Sequence, residues 1–269
     1  MMRGERLEEG SARVSKIAFY ASKAGWKKSG KFLAEGPQAV REAIKSGLAK
    51  DVYFDESLDL PEEFLKGEGS WFHPASHRAM EKISKDCQGV LAVASLKDLE
   101  RDFSSLDLSG LFVICALWQV RDPGNEGTII RSCDAAGCRA VLLVDECASP
   151  FNPKVVRASA GSIFHIPFFR CSEEELLNLR DRASLISTSG RDFDKKVLID
   201  SSPSALEGLG SMVLLFGNEA RGLPDRLIKE SRAVAKIPIY GLAESLNLSS
   251  AASILVYDAV RSQRMKGEL

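Results

Sequence analysis

Apolar residues fall along this chain in short clusters of two kinds, and their alternation predicts an α/β protein. In the first hundred residues a polar-faced helix is expected over 7–24, followed by KFLAEG as a strand and PQAVREAIKSG as a helix that opens on proline and closes on glycine. KDVYFDE and GVLAVAS read as further strands of β-branched and aromatic residues, with PEEFLKGEG and PASHRAMEKIS as helices between them. The stretch SLKDLERDFSSLDLSG then loses periodicity and gathers Ser, Asp and Leu. It sets the expected organisation: a small α/β domain over 1–98, a linker over 99–109 and a larger domain over 110–269.

In that larger part, short continuous apolar runs (LFVICAL, AVLLVDE, SLISTSG, SMVLLFG, AVAKIPI) alternate with helical patterns (NEGTIIRSCDAAG, NPKVVRASAG, SEEELLNLRDR, LPDRLIKES and a last helix over 249–264). Such an order predicts a mostly parallel sheet covered on both faces, with ligands at the carboxyl ends of the strands. The polar turns that follow LFVICAL, SLISTSG, MVLLFG and AVAKIPI are therefore the places to look for chemistry.

Composition narrows the class. A chain of 269 residues, 45% hydrophobic and 27% charged, can bury two cores and is neither disordered nor fibrous. Its longest purely apolar run, LFVICALW, is too short to cross a bilayer and the start lacks a signal core, so a cytoplasmic protein without a membrane partner is expected. Six cysteines without a CxxC pair fit reduced, buried thiols better than disulfides. Net charge is −1, which speaks against wholesale wrapping of nucleic acid, yet residues 1–50 carry eleven Lys/Arg against five Asp/Glu. That segment could meet phosphates, or it is a solvated face.

Three turns carry unusual residues. Asp122-Pro123-Gly124-Asn125 leads into a helix whose expected N-cap is Asn125, with Arg131 further along it. Phe216-Gly217-Asn218-Glu219 puts a carboxylate directly after a buried strand, where it needs a partner, and Arg131 is the expected one. Ser245-Leu246-Asn247-Leu248-Ser249 sets three polar residues at alternate positions before an apolar helix, more than capping requires.

In this order the three segments resemble the signature motifs of the SpoU (TrmH) family of RNA ribose 2′-O-methyltransferases. KFLAEGPQAVREAI, VYFDE and QGVLAV more weakly resemble the substrate-binding domain of its rRNA-directed members, which is similar to small ribosomal RNA-binding proteins. The resemblance implies a parallel-sheet domain with a deep trefoil knot, an exception to the rule against knots. It also implies a homodimer through that domain, and S-adenosylmethionine as cofactor. Carried over by motif, Asn125, Arg131, Glu219, Ser245 and Asn247 become catalytic. Phe216, Gly217, Asn218, Ile237 and Leu246, with Thr188 and Ser189, become cofactor contacts. Glu126 stands where the family often has a small or apolar residue. Lys27, Lys28 and Lys31 replace an arginine expected shortly before KFLAEG, and they are the candidate RNA contacts.

Methyl transfer needs alignment of a ribose 2′-oxygen with a sulfonium methyl and relief of the developing negative charge. The resemblance makes Arg131 the base. A guanidinium with a pKa above about 12 is a poor proton acceptor, so either an RNA phosphate assists or a charged Arg131 stabilises the alkoxide, oriented by Glu219. No metal is called for, and His73 and His77 lack a third ligand. Gly25 to Phe32 nearly spells a phosphate-binding loop, but Phe32 stands where Ser or Thr must ligate magnesium, and no GxGxxG occurs. The expected partner is RNA, rRNA rather than tRNA, with no DNA. The alternatives are a tRNA 2′-O-methyltransferase and a catalytically inactive RNA-binding or ribosome-assembly module.

Overall fold

The computed structural model describes residues 2–59, 64, 69–190, 196–198 and 206–264. They form two compact units, one of residues 1–100 with 149–165, the other of residues 101–148 with 166–269.

The first unit holds strands β1 (Met2–Arg3), β2 (Lys31–Glu35), β3 (Asp51–Asp55), β4 (Trp71–Ala75) and β5 (Val90–Ser95), in the order β1-β4-β3-β5-β2. β4 runs parallel to β1 and β3, while β5 is antiparallel to β3 and β2. Leu7, Val14, Ile17, Leu33, Tyr53, Met80 and Leu91 pack into one core of this unit. The helix expected over 7–24 is instead two, Ala12–Tyr20 and Lys23–Ser29. Ser22 caps the second by accepting from the Gly25 N–H, and a Cβ on Gly25 would lie 1.7 Å from the Phe19 carbonyl oxygen. Only glycine allows so tight a corner.

PASHRAMEKIS is helical only from His77, since WFHPA is strand β4. Pro74 brings no N–H to the ladder, but its carbonyl accepts from Leu7 N–H at 2.8 Å. PEEFLKGEG lies almost wholly outside the described residues. The segment Ser149–His165, with the helix Pro153–Ala158, follows the second unit's first strands in the chain yet clusters with the first unit. Arg157 pairs there with buried Glu35 and with Asp86, and the Phe151 ring centroid lies 5.1 Å from that of Phe32.

The second unit is a seven-stranded sheet of β6 (Val113–Trp118), β7 (Ala140–Val144), β8 (Phe168–Cys171), β9 (Ser184–Thr188), β10 (Lys196–Leu198), β11 (Met212–Phe216) and β12 (Ala233–Lys236). The order is β10-β12-β9-β11-β6-β7-β8 and every pairing is parallel. Strands β8 and β10 are additions to the expected set. Both are short edge strands, too brief for a readable apolar run. The helix Pro123–Ala136 meets the last helix, Leu248–Arg264, through a 2.7 Å contact between the Ser132 and Ser253 hydroxyls. Around Ile114, Leu142, Leu185, Val213 and Leu227 the helices Glu173–Asn178 and Asp225–Glu230 complete a core. The chain runs outward from β6 to β7 and β8, then returns to the other side of β6, so the strand order reverses between β6 and β11. Ligand crevices form at such a reversal.

Candidate functional site

Three turns leave the carboxyl ends of β6, β11 and β12. The first begins at Gln119, held at φ +50°, and ends at Asp122. Asp122, not Asn125, is the N-cap of the helix Pro123–Ala136: its side chain accepts from the Asn125 N–H at 2.7 Å. The expected cap was one turn late. Proline at the first helical position already marks the residue before it as the cap, and that signal was available in the sequence. Freed from capping, the Asn125 side chain points to other partners.

Glu219, on the turn after β11, supplies one of them. Its Oε1 accepts from the Asp122 N–H at 3.1 Å and from the Asn125 amide at 3.3 Å, and its Oε2 accepts from the Arg121 N–H at 3.4 Å. The expected ion pair with Arg131 is not formed. A helix start exposes unpaired N–H donors and the positive end of the peptide dipoles, so it holds a carboxylate without any arginine. Asn218 locks the same turn, its amide donating to the Gln119 carbonyl at 2.9 Å and its Oδ1 accepting from the N–H groups of Ala220 and Arg221. Gly217 is dictated by space, because a Cβ there would fall 2.3 Å from the Gly222 carbonyl carbon.

The third turn joins through Asn247. Its amide donates to Asn125 Oδ1 at 3.1 Å, while its own Oδ1 accepts from the Ser249 N–H at 2.8 Å and from the Ser249 hydroxyl at 2.6 Å. A relay therefore runs from Glu219 through Asn125 and Asn247 to the start of the last helix. Each amide is fixed by a carboxylate or backbone group at one end, which leaves no freedom to flip.

The structure thus brings Asn125, Glu219 and Asn247 together and leaves two expected members outside. Arg131 and Ser245 are exposed, and among the described residues neither side chain makes a hydrogen bond or ion pair. Six positions along a helix turn Arg131 about 120° away from Asn125 and move it about 9 Å along the axis.

The expected cofactor contacts line the same ends. Phe216 is fully buried at the end of β11, and Thr188, ending β9, donates its hydroxyl to the Leu215 carbonyl at 2.8 Å. The Ser189 N–H donates to the Ala235 carbonyl at 3.2 Å. From Ile237 to Asn247 the chain is neither helix nor strand, and it is exposed from Ile239 onward, with Tyr240, Leu242 and Leu246 among its apolar side chains. Main-chain amides outside any ladder beside apolar side chains and a glycine turn suit an adenosine, whose ring wants both. The donor set fits S-adenosylmethionine. Among the described residues no group of three or more His, Cys, Asp or Glu is placed for a metal, and His73 and His77 lie in the first unit against Asp51 and Asp55. Lys27, Lys28 and Lys31 are exposed in that unit, Lys31 lying 6.0 Å from the centre of the Tyr20 ring.

The chain is similar to known proteins over most of its length. Residues 111–257 match the model of the SpoU rRNA Methylase family. The chain is similar to the 23S rRNA (guanosine(2553)-2′-O)-methyltransferase RlmP of Bacillus subtilis, 32% identical over 86% of this chain and 88% of that one. It is also similar to the 23S rRNA (guanosine-2′-O-)-methyltransferase RlmB of Bordetella pertussis, 26% identical over 86% and 93% of the two chains. The crystal structure of an rRNA methyltransferase from Sinorhizobium meliloti with bound AdoMet superposes with a TM-score of 0.79 at 28% identity, over 96% of this chain and 98% of that one.

Proposed function

The chain belongs to the SpoU rRNA methylase family, and from that premise we propose that it transfers the methyl group of S-adenosylmethionine to a ribose 2′-oxygen of large-subunit rRNA. The observation that carries this reading is the relay Glu219–Asn125–Asn247 at the reversal of strand order. The similar proteins of Bacillus and Bordetella are named for 23S rRNA, which favours rRNA over tRNA.

The cofactor supplies an electrophilic methyl on a positively charged sulfur. The rest falls to the chain. Gly217, Ile237 and Leu246 hold the adenosine by backbone groups and apolar side chains, with Phe216, Asn218, Thr188 and Ser189 shaping the floor. Asn125 and Ser245 position the nucleotide, and Asn247 with Glu219 keeps the Asn125 amide from swinging. Arg131, a guanidinium without a partner among the described residues, meets the ribose oxygen and stabilises the alkoxide as its proton leaves to solvent or an RNA phosphate. Fixed dipoles aimed at developing charge give such a site much of its rate.

The first unit is read as the RNA-selecting part, resembling ribosomal RNA-binding proteins, with Lys27, Lys28 and Lys31 on phosphates. The last helix and the loop before it form, in this reading, the closing part of a trefoil knot and the seat of a homodimer. Ile254 and Tyr257 on the helix, with Tyr240, Leu242 and Leu246 on the loop, are exposed apolar side chains that a second copy would cover. Among the described residues no helix is long and apolar enough to cross a membrane. Purified protein given tritiated cofactor and either unmodified rRNA or tRNA tests the reading. Label in rRNA supports it, and label confined to tRNA replaces the substrate.

A further inference from the structure

Glu126 sits one residue beyond Asn125, in the first turn of the helix Pro123–Ala136, and is fully buried. Neither carboxyl oxygen has a hydrogen-bond partner among the described residues. Buried carboxylates are otherwise paired or hydrogen-bonded, so an orphan beside a reactive centre needs an explanation. Its backbone N–H is satisfied by the Asp122 carbonyl at 3.0 Å, and the side chain is the unexplained part.

The charged and titratable groups acting on it come from three other elements. Arg170, exposed on β8, favours the ionised form, and Glu219, on the turn after β11, opposes it. Cys147, after β7, is pushed up to about 12, by burial first and by Glu126 second, so it stays a neutral thiol. From its own helix, Asp122 spends its carboxylate on the Asn125 N–H. The dipole of the first helical turn favours a negative charge here, but burial without a hydrogen bond is the larger effect. Desolvation holds the Glu126 carboxyl well above the usual carboxylate range.

A neutral carboxyl is compatible with this niche, and a negative one is not. Ionised, it would be opposed by the Glu219 carboxylate and would need water where its side chain is fully buried, a demand that opening the first turn of the helix would meet. That turn carries Asn125. We propose that Glu126 is a positioning residue for methyl transfer, a buried carboxyl whose charge state decides whether Asn125 stays held between Glu219 and Asn247.

The inference rests on the methyltransferase reading, and its test keeps the two apart. The first measurement is the carboxyl-carbon NMR titration of ¹³C-glutamate-labelled protein without RNA, with the Glu126 signal identified by its loss in E126Q, or in E126L if E126Q does not fold. The second is the rate of methyl transfer to rRNA between about pH 6 and about pH 10 for wild type and E126Q. Expected is a Glu126 carboxyl that ionises only above the usual carboxylate range, and a wild-type kcat that falls about tenfold per further pH unit once it ionises. The E126Q profile should lack that limb, with cofactor Kd within about twofold of wild type. A Glu126 signal already ionised where the enzyme is fully active overturns the proposal, as does an E126Q profile superimposable on wild type. Absence of methyl transfer at every pH strikes the functional reading instead, while the titration still reports on Glu126.

Discussion

Replacing Glu219 separates what its charge does from what its shape does. The carboxylate accepts three hydrogen bonds, from the Arg121 and Asp122 N–H groups and the Asn125 amide, at 3.4, 3.1 and 3.3 Å. These are long and the residue is exposed, so each contributes about 0.5–1 kcal/mol rather than the larger value of a buried charged pair. Glu219→Ala removes all three and the attraction to the helix start, a loss of about 2 kcal/mol. For a domain of this size that lowers Tm by about 4–8 °C. Glu219→Gln keeps one oxygen for Asp122 and Asn125 but turns an amide against the Arg121 N–H, which predicts about half the loss, 2–4 °C. The catalytic effect is steeper. In the proposed role, an Asn125 amide released from its carboxylate would no longer fix the nucleotide, and misplacement on that scale lowers kcat about a hundredfold in Glu219→Ala. Differential scanning calorimetry and single-turnover methyl transfer read the two quantities. Equal effects of the two variants, or a Tm fall with kcat intact, would refute the relay as a positioning device.

Four further outcomes are expected. Arg131→Ala abolishes turnover yet leaves cofactor affinity by calorimetry within about threefold, since its side chain has no partner to lose among the described residues; a large loss of affinity would make it structural. Gly217→Ala forces the turn after β11 apart by its 2.3 Å clash with the Gly222 backbone, so cofactor binding weakens at least about tenfold, and unchanged binding would contradict the turn's role. Glu126 gives a pH test of stability. Because its pKa is raised in the folded state, its stabilising effect is full below the unfolded carboxylate value near 4.5 and is lost as pH climbs towards the folded value. The Tm of wild type should therefore fall relative to E126Q as pH rises from about 5 to about 8, and a constant difference would mean no shift. Reversing Lys27, Lys28 and Lys31 to Glu raises KM for rRNA about tenfold or more with cofactor Kd unchanged; an unmoved KM would remove them from the RNA contact. Charge reversal is a cleaner test than deleting residues 1–98. Val155, Val156, Ile163 and Phe164 are buried in the first unit, and the deletion would strip them.

Much of the second unit was legible because buried parallel strands are written as apolar runs, and LFVICAL, AVLLVDE, MVLLFG and AVAKIPI became β6, β7, β11 and β12. Strand β4 was missed because WFHPA contains a proline and is completed by Met2, Arg3 and Leu7, a pairing no local window contains. The excursion of Ser149–His165 was likewise invisible, since it rests on Arg157 meeting Glu35 across 122 positions of sequence. At the three turns, the meeting of Asn125, Glu219 and Asn247 follows the resemblance, but the groups that hold them were not legible. Glu219 was matched to Arg131 on charge alone, whereas the structure uses backbone N–H groups, which every residue carries and no sequence displays.

Methyl transfer to a ribose 2′-oxygen of large-subunit rRNA is proposed for the Glu219–Asn125–Asn247 centre. Its most direct test is tritiated methyl transfer from S-adenosylmethionine to unmodified 23S-type rRNA, followed by mapping of the modified nucleotide and its resistance to alkaline cleavage. Label is expected at one alkali-resistant ribose, lost in Asn125→Ala and Arg131→Ala. Label on a base, label on tRNA alone, or cofactor binding without transfer to any RNA would contradict it.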